Sequence, residues 1–129
     1  MSAVVDTAVA TDDVNAWLDK QHVTARKRDE KQKEVDELIK CVEYGEVSFD
    51  DDGNIVQHLS FPIKSVAKLT YKYRITVDDI SAKTRNTASN DIFGIVAAYI
   101  ASATKEAIGV VRQLDNADLS IAQNIVAFF

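Results

Sequence analysis

Residues 54–76 read NIVQHLSFPIKSVAKLTYKYRIT, and two alternating apolar runs in this stretch decide the fold. Side chains of a β-strand point to opposite faces in turn, so apolar residues at even spacing form one apolar face. A short segment with Pro62, Ser65 and Ala67 separates the runs, which predicts a β-hairpin with a longer loop. The alternating residues are Ile55, Leu59 and Phe61 in the first run, then Leu69, Tyr71, Tyr73 and Ile75 in the second.

A third strand is predicted before this hairpin. Val47 and Phe49 alternate with polar residues, and the pair Asp52-Gly53 follows them. An Asp-Gly pair between alternating apolar runs is a strong turn signal. We therefore predict three antiparallel strands, at about 46–50, 54–61 and 67–75.

The segment before the sheet is predicted to be helical over 14–44, because it contains neither Pro nor Gly and is rich in helix formers. Residues 1–10 are predicted to fray, and Gly45 is predicted to end the helix. A charged stretch, TARKRDEKQKE at 24–34, separates two apolar groups. The early group is Trp17, Leu18 and Val23, and the late group is Val35, Leu38, Ile39 and Val42.

Two structures are consistent with this pattern. Either one long helix projects and its early apolar group meets a partner or another subunit, or the helix breaks near 24–30 and its first part is mobile. After the sheet, helices are predicted at 77–84, from Ser89 or Asn90 to 103, and from Asp115 onward, with RNTASN (85–90) as a loop. Residues 104–114 fit a short helix or a connector.

The predicted fold class is therefore α+β. It combines a long N-terminal helix, a small antiparallel β-meander and a C-terminal bundle of about three helices. Two units are predicted: an N-terminal extension with the long helix over 1–45, and a small α+β domain over 46–129.

The composition fits an ordinary globular domain, with 129 residues of which 47% are hydrophobic and 27% charged. The single cysteine, Cys41, excludes an internal disulfide and fits a reducing compartment. The first residues lack a basic start and contain Asp6, so no secretory signal is predicted. No apolar run approaches the roughly 20 residues of a membrane span, so no membrane partner is predicted.

Charge is unevenly distributed along the chain. Residues 1–53 carry 7 Lys/Arg and 14 Asp/Glu, a net charge of −7, whereas residues 54–129 carry 8 and 6, a net charge of +2. An acidic chain is poorly suited to nucleic acid, whose binding needs a basic face, so no nucleic-acid partner is predicted. The second and third helices resemble a helix-turn-helix in order only, since IFGIVAAYIASA offers no side chain that reads bases.

Residues suited to catalysis or metal binding are scarce. His22 and His58 fall on polar faces, and Cys41 falls on the apolar side of a helix. The simplest interpretation of each is therefore an ordinary structural role. The acidic run that begins at Asp50 fails the EF-hand pattern, because its twelfth position is Pro62 rather than Glu. We predict no enzymatic activity, no metal and no cofactor.

Four stretches give the chain a resemblance to a known family. They are the FPI at 61–63, the LTYKYR at 69–74 with its following Thr and Asp pair, the apolar helix in the middle, and LDNADLSIAQNIVAFF at 114–129. Together they resemble the tail assembly chaperones of tailed bacteriophages, in the group that includes small chaperones of contractile-tailed phages. The chain departs from that pattern at Tyr73-Arg74, where family members often have Pro, and in the helical segment before Gly45.

The resemblance implies a non-enzymatic function in the host cytoplasm. Such chaperones bind the tape measure protein, keep its long helical chain soluble and help to recruit tail tube subunits. They leave before the tail is complete, and a longer form made by ribosomal frameshifting is common. Two other classes stay open: a structural tail-completion or connector protein, and a DNA-binding regulator.

Six residues are predicted to contact partners, including other copies of the chain in a homo-oligomer. An apolar group beside a charged span is typical of an interface, which selects Trp17, Leu18 and Val23. The last predicted helix is followed by Phe128 and Phe129, of which Phe128 completes the core and Phe129 binds the partner. The exposed side of the hairpin adds His58 and Lys72.

Overall fold

The structure, a computed structural model, describes residues 3–85 and 91–129. Over these residues the chain forms seven helices and a three-stranded antiparallel sheet, which confirms the α+β class and the C-terminal helices. The elements in chain order are α1 Thr7–Lys20, α2 Ala25–Glu30, α3 Gln32–Glu43, β1 Val47–Phe49, β2 Ile55–Ile63, β3 Val66–Tyr71, α4 Val77–Thr84, α5 Ile92–Thr104, α6 Ile108–Val111 and α7 Asn116–Val126.

The N-terminal helical segment is broken, which corrects the prediction of one long projecting helix. His22 has a left-handed φ of 57° just after α1 ends, and the Thr24 side chain caps α2 by accepting a hydrogen bond from the N–H of Lys27. Arg28 holds this corner, because its guanidinium donates to the carbonyl of Val23 and to Asp19. The charged middle of the segment therefore forms the corner, and α1 folds back onto α3.

The start of the chain also differs from the prediction. Helix α1 begins at Thr7, seven residues before the predicted start at residue 14, and Ala10 is buried. Residues 3–6, predicted to fray, are attached to α3, because the N–H groups of Val4 and Val5 donate to the carbonyl of Glu43. The expected mobile first part is thus packed. A break is present, but it lies at residues 21–24, just before the predicted range of 24–30, most of which forms α2.

The sheet has the order β1-β2-β3, so the predicted meander is confirmed. Gly53 takes φ 79° in the β1–β2 turn, which the flexible glycine backbone allows without strain. The carboxylate of Asp50 accepts hydrogen bonds from the N–H groups of Asp52 and Asn54, and these bonds lower its pKa. The acidic run is therefore a self-capped turn.

The β2–β3 connection is tighter than predicted. Pro62 belongs to β2, and the turn is only Lys64 and Ser65, with Lys64 at φ 52°. The pairing of β2 with β3 shifts register between His58 and Ile63, an irregularity of the kind that accommodates proline in a sheet. Because of this shift Phe61 is 57% exposed, which corrects its expected place on the inner face.

A buried polar network fixes α7 against the sheet. The two carboxylate oxygens of Asp118 accept hydrogen bonds from the N–H groups of Ser60 and Phe61, at 2.9 and 3.0 Å. The amide of Gln57 donates to the carbonyl of Asp118 and accepts from the hydroxyl of Tyr71. Burial raises the pKa of Tyr71, and the Asp118 carboxylate raises it further, so this hydroxyl remains a donor.

One apolar core contains residues from both predicted units. Trp17 and Leu38, which precede residue 45, are buried in the same cluster as Leu69 and Ile125. Helix α3 contacts both α1 and α7, and α7 contacts β2. In the described chain, the predicted boundary at residue 45 therefore does not separate two cores.

The C-terminal helices largely follow the predicted pattern. Helix α4 spans the predicted 77–84, and the ambiguous segment contains the single turn α6. The predicted loop at 85–90 and the predicted helix start at Ser89 or Asn90 fall largely on residues 86–90, outside the described residues. Helix α5 begins at Ile92, where the side chain of Asp91 accepts a hydrogen bond from the N–H of Gly94.

Candidate functional site

An apolar groove runs between α4, α5 and the end of α7, and we call it the α4–α5–α7 groove. It consists of two adjoining hollows of about 350 and 290 Å³ that share Tyr99. The first is lined by Ile75, Thr76, Val77, Ile80, Ser81, Tyr99 and Phe129, and the second by Val96, Tyr99, Gln123, Val126 and Ala127.

Helix α4 forms one wall of the groove, and local interactions hold it in place. The side chain of Thr76 accepts a hydrogen bond from the N–H of Asp79, and the Asp79 carboxylate accepts one from the N–H of Thr76. This reciprocal capping box satisfies two of the free N–H groups at the helix start. None of the residues of α4 is buried, and Val77 is 83% exposed.

Helix α5 forms the floor, and its sequence is more apolar than one buried face requires. Its 13 residues, IFGIVAAYIASAT, include no charged side chain. Small residues such as Ala98 and Ala101 are buried against the rest of the protein, whereas Ile92 and Phe93 are each 69% exposed. A helix that is apolar on all sides is typical of a position with packing on all sides. Ile92 and Phe93 lie outside the two hollows of the groove, to which α5 contributes Val96 and Tyr99. The exposed residues of α5 are therefore candidates for contact surface, and those in the groove are Val96 and Tyr99.

The two final phenylalanines have different environments. Phe128 is buried, with its ring centroid 6.1 Å from that of Trp17 in an edge-to-face arrangement. Phe129 is half-buried, lies 6.0 Å from Trp17 and 6.4 Å from Tyr71, and lines the groove. The structure thus places Phe128 in the core, as expected, and Phe129 at the candidate site. That Phe129 binds a partner stays a prediction.

The early apolar group does not form an exposed patch. Trp17, Leu18 and Val23 are all buried in the core of this chain. The expectation that they are exposed is wrong because α1 folds back, so that an apolar group isolated in sequence meets the rest of the core in space. Their burial removes the basis for assigning them to a partner.

His58 and Lys72 are exposed on the hairpin, as predicted, but do not line the groove. His58 lies opposite Lys68 across the β2–β3 pair, and its Nε2 is 2.7 Å from the hydroxyl oxygen of Ser48. Lys72 follows β3, with its ammonium 5.4 Å from the centre of the Tyr73 ring. The six predicted contact residues therefore occupy the core, the groove and the hairpin surface rather than one site.

The groove residues on α4 were missed because each helix was interpreted alone. Val77 and Ile80 are the only large apolar residues of a short polar helix, and Tyr99 belongs to a stripe that was assigned to the core. One signal was available in the sequence: α5 has more apolar residues than a single buried face can use.

The remaining chemistry of the described residues is limited. Within 3–85 and 91–129, no group of three or more His, Cys, Asp or Glu side chains is arranged to hold a metal ion. Burial, followed by the charge of nearby Glu46, raises the pKa of Cys41 to about 12, so its thiol is protonated near neutral pH. None of the helices described is both long enough and apolar enough to cross a membrane.

Comparisons with known proteins return no match, whether against protein-family models, curated proteins or solved structures.

Proposed function

We propose that this protein is a phage tail assembly chaperone that binds the tape measure protein through the α4–α5–α7 groove. Two observations support the proposal. The first is the resemblance of residues 54–129 to that family, and the second is an apolar groove on an uncharged helix. The groove is the observation that carries the proposal, because it offers apolar surface to a partner.

The shape of the groove suits an amphipathic helix as ligand. Apolar side chains of such a helix recur at i, i+3, i+4 and i+7, and helix-in-groove binding places them in successive hollows. The two hollows share Tyr99: the first lies between α4 and this residue, and the second lies between α5 and α7. By the resemblance, the tape measure protein is a long helical chain that the chaperone keeps soluble. Binding of this kind requires no catalysis.

The proposal includes the wider role that the resemblance implies. The chaperone acts in the host cytoplasm, helps to recruit the tail tube protein, and is absent from the finished particle. Homo-oligomers present several grooves to one long partner and so increase the avidity of the complex. Stable incorporation into purified particles supports the structural tail-completion or connector alternative instead.

Co-expression with the tape measure protein of the same genome tests the proposal. We expect the partner to be soluble with the wild type and to co-purify with it. Val77→Asp places a charge at the lip of the groove and should return most of the partner to the insoluble fraction. An acidic residue is well tolerated in the first turn of a helix, so this variant should fold.

Val9→Asp is the matched control. Val9 is 51% exposed in the first turn of α1 and is not among the residues that line the groove. This variant should protect the partner as well as the wild type does. If the partner is equally soluble with the wild type, with Val77→Asp and with no chaperone, the proposed function is wrong.

A further inference from the structure

Strand β3 lies at an edge of the sheet, and the pairing shows which of its backbone groups point outward. The N–H of His58 donates to the carbonyl of Glu46, on the β1 side of β2. Because hydrogen-bonded and non-bonded pairs alternate along antiparallel strands, the His58–Lys68 pair of β2 and β3 is a non-bonded one. The same holds two residues later, at Thr70. The backbone N–H and C=O groups of Lys68 and Thr70 therefore point away from β2.

This outer edge of β3, which we call the β3 edge, is open at these two residues. The N–H of Lys72, next in the same alternation, donates to the carbonyl of Ala103 at 3.0 Å, so the end of α5 closes the edge there. No backbone group of residues 3–85 and 91–129 pairs with the N–H and C=O groups of Lys68 and Thr70. Lys68 is exposed and Thr70 is half-buried, so solvent reaches the edge. Open edge groups of this kind are a template for another strand.

The hairpin that carries the β3 edge is basic. Residues 54–77 contain four Lys or Arg and no Asp or Glu, in a chain with 20 acidic residues. Lys68, and Lys72 just beyond the strand, lie on the face opposite to the buried Leu69. Glu46, in the same row of the sheet as Lys68, is two strands away, at about 10 Å. A side chain directly opposite Lys68 on an added strand lies at about 5 Å, so an acidic residue is favoured there.

A second copy of the chain does not fit the β3 edge. Its own β3 carries the same lysines, so pairing of two β3 strands brings like charges together. Its β1 would offer the backbone groups of Val47 and Phe49, whose side chains pack on the core. Directly opposite residues share a face of a sheet, so this pairing turns the core side of β1 to the solvent side of β3. Val47 is also only 1% exposed.

Nucleic acid matches the charge of the hairpin but not its backbone. Phosphate groups accept hydrogen bonds and do not donate them, so they leave the two outward carbonyls of the β3 edge unpaired. An extended peptide offers N–H and C=O groups in the alternation that the edge requires.

We propose that the β3 edge binds an extended acidic segment of a partner protein, which adds to the sheet as a fourth, antiparallel strand. Its Asp or Glu residues lie opposite Lys68 and Thr70 on the solvent face, and their own N–H and C=O groups pair with the edge. Main-chain hydrogen bonds supply affinity in such strand addition, and alternate side chains supply specificity. The inference goes beyond the proposed function and does not rest on it, since no residue of β3 lines the α4–α5–α7 groove.

The test uses synthetic peptides of about eight residues, the length of a typical strand, titrated into the full chain. The first peptide alternates Glu with Val, and the second has Lys in place of Glu. The third is the first peptide with N-methyl groups on its Glu amides, which keeps every charge but removes the N–H groups that face β3. We expect the first peptide to bind about tenfold more tightly than either of the others. A fourth peptide, N-methylated on its Val amides instead, should bind as the first does.

Amide exchange resolved by NMR locates the added strand. In the free chain the amides of Lys68 and Thr70 should exchange rapidly, whereas that of Leu69, which points to β2, should be protected. Saturation with the first peptide should slow exchange at Lys68 and Thr70 by about tenfold or more.

Charge-removing variants test the role of the lysines. Lys68→Gln with Lys72→Gln should reduce the preference for Glu over Lys peptide to about twofold or less, with the unfolding midpoint unchanged. The matched control is Lys33→Gln with Lys40→Gln, two exposed lysines of α3, which should keep the full preference. An equal loss in both double variants would overturn the assignment to the β3 edge.

Three further results would overturn the inference. Equal affinities of the first and third peptides would show that charge alone attracts them. Slow exchange of Lys68 and Thr70 in the free chain would show that the edge is already covered. Displacement of the first peptide by an equal concentration of single-stranded oligothymidylate would favour nucleic acid. A chain that binds the first peptide as expected but does not protect the tape measure protein would refute the proposed function alone.

Discussion

Helices α3 and α5 are almost equal in length, but α3 buries its apolar stripe in the core whereas α5 leaves some of its apolar residues exposed. Helix α3 has an apolar stripe, with Val35, Leu38 and Val42 buried and charged residues on its other side. Helix α5 has no charged residue, yet Ile92 and Phe93 at its start are mostly exposed. The chain itself accounts for the pattern of α3. It leaves the start of α5 uncovered, whereas the functional proposal rests on the groove that Val96 and Tyr99 line further along the helix.

The largest expected effect comes from making the same kind of substitution on each of the two helices. Leu38→Asp buries an unpaired charge beneath α3 and should lower the free energy of unfolding by about 4 kcal/mol. Phe93→Asp makes the same change on the 69% exposed face of α5 and should alter it by less than about 0.5 kcal/mol. Urea unfolding of both variants checks the pair. Equal losses would show that the start of α5 is covered within this chain.

A smaller effect is expected at the polar network that holds α7. Asp118→Asn keeps the side-chain size but replaces one acceptor of the Ser60 and Phe61 N–H groups with a donor. We expect a loss of about 2 kcal/mol, because two partly buried N–H groups lose a charged partner and the buried Asp118 side chain loses an acceptor. Asp36→Asn, at an exposed carboxylate of α3 that accepts from Gln32, is the control and should be nearly neutral. A neutral Asp118→Asn would mean that α7 is held by apolar packing alone.

The smallest effect is expected at the α4 capping box. The pKa of Asp79 is lowered in the folded protein from its ordinary value of 3.8, so its contribution to stability is present above that value and lost as the pH falls below it. Asp79→Asn should therefore fray α4 already near neutral pH. The helix content of α4 in the variant should then fall less on acidification than it does in the wild type, with little change in global unfolding. Amide exchange of α4 from pH 5 to pH 3 measures this, and an unchanged profile in the variant would contradict it.

Local patterns predicted much of the fold. The α3 stripe, the Asp52-Gly53 turn and the alternation of Leu69 and Tyr71 each lie within one or two elements, where spacing in sequence corresponds to geometry. The contact of Trp17 with Phe128 and the reach of Asp118 to β2 join residues far apart in sequence. No local pattern encodes such contacts, so the burial of the early apolar group was mispredicted.

Only part of the candidate site could be predicted from the sequence, for the same reason. Phe129 was identified because it follows an apolar helix, and His58 and Lys72 because they lie on the polar side of the hairpin. The groove depends on how α4, α5 and α7 pack, and Val77 has no special sequence context of its own. The sequence shows that α5 has a surplus of apolar residues. Which side of this helix stays exposed depends on tertiary packing.

The central claim is that a helix of the tape measure protein occupies the α4–α5–α7 groove. Hydrogen exchange of the chain alone and in the co-purified complex tests it most directly. Because α4 has no buried residue, its amides should exchange rapidly in the free chain. The account predicts slower exchange on binding in α4 and in residues 123–129, with α1 to α3 unchanged. Protection confined to α1 to α3 or to β1, with α4 unaffected, would contradict it.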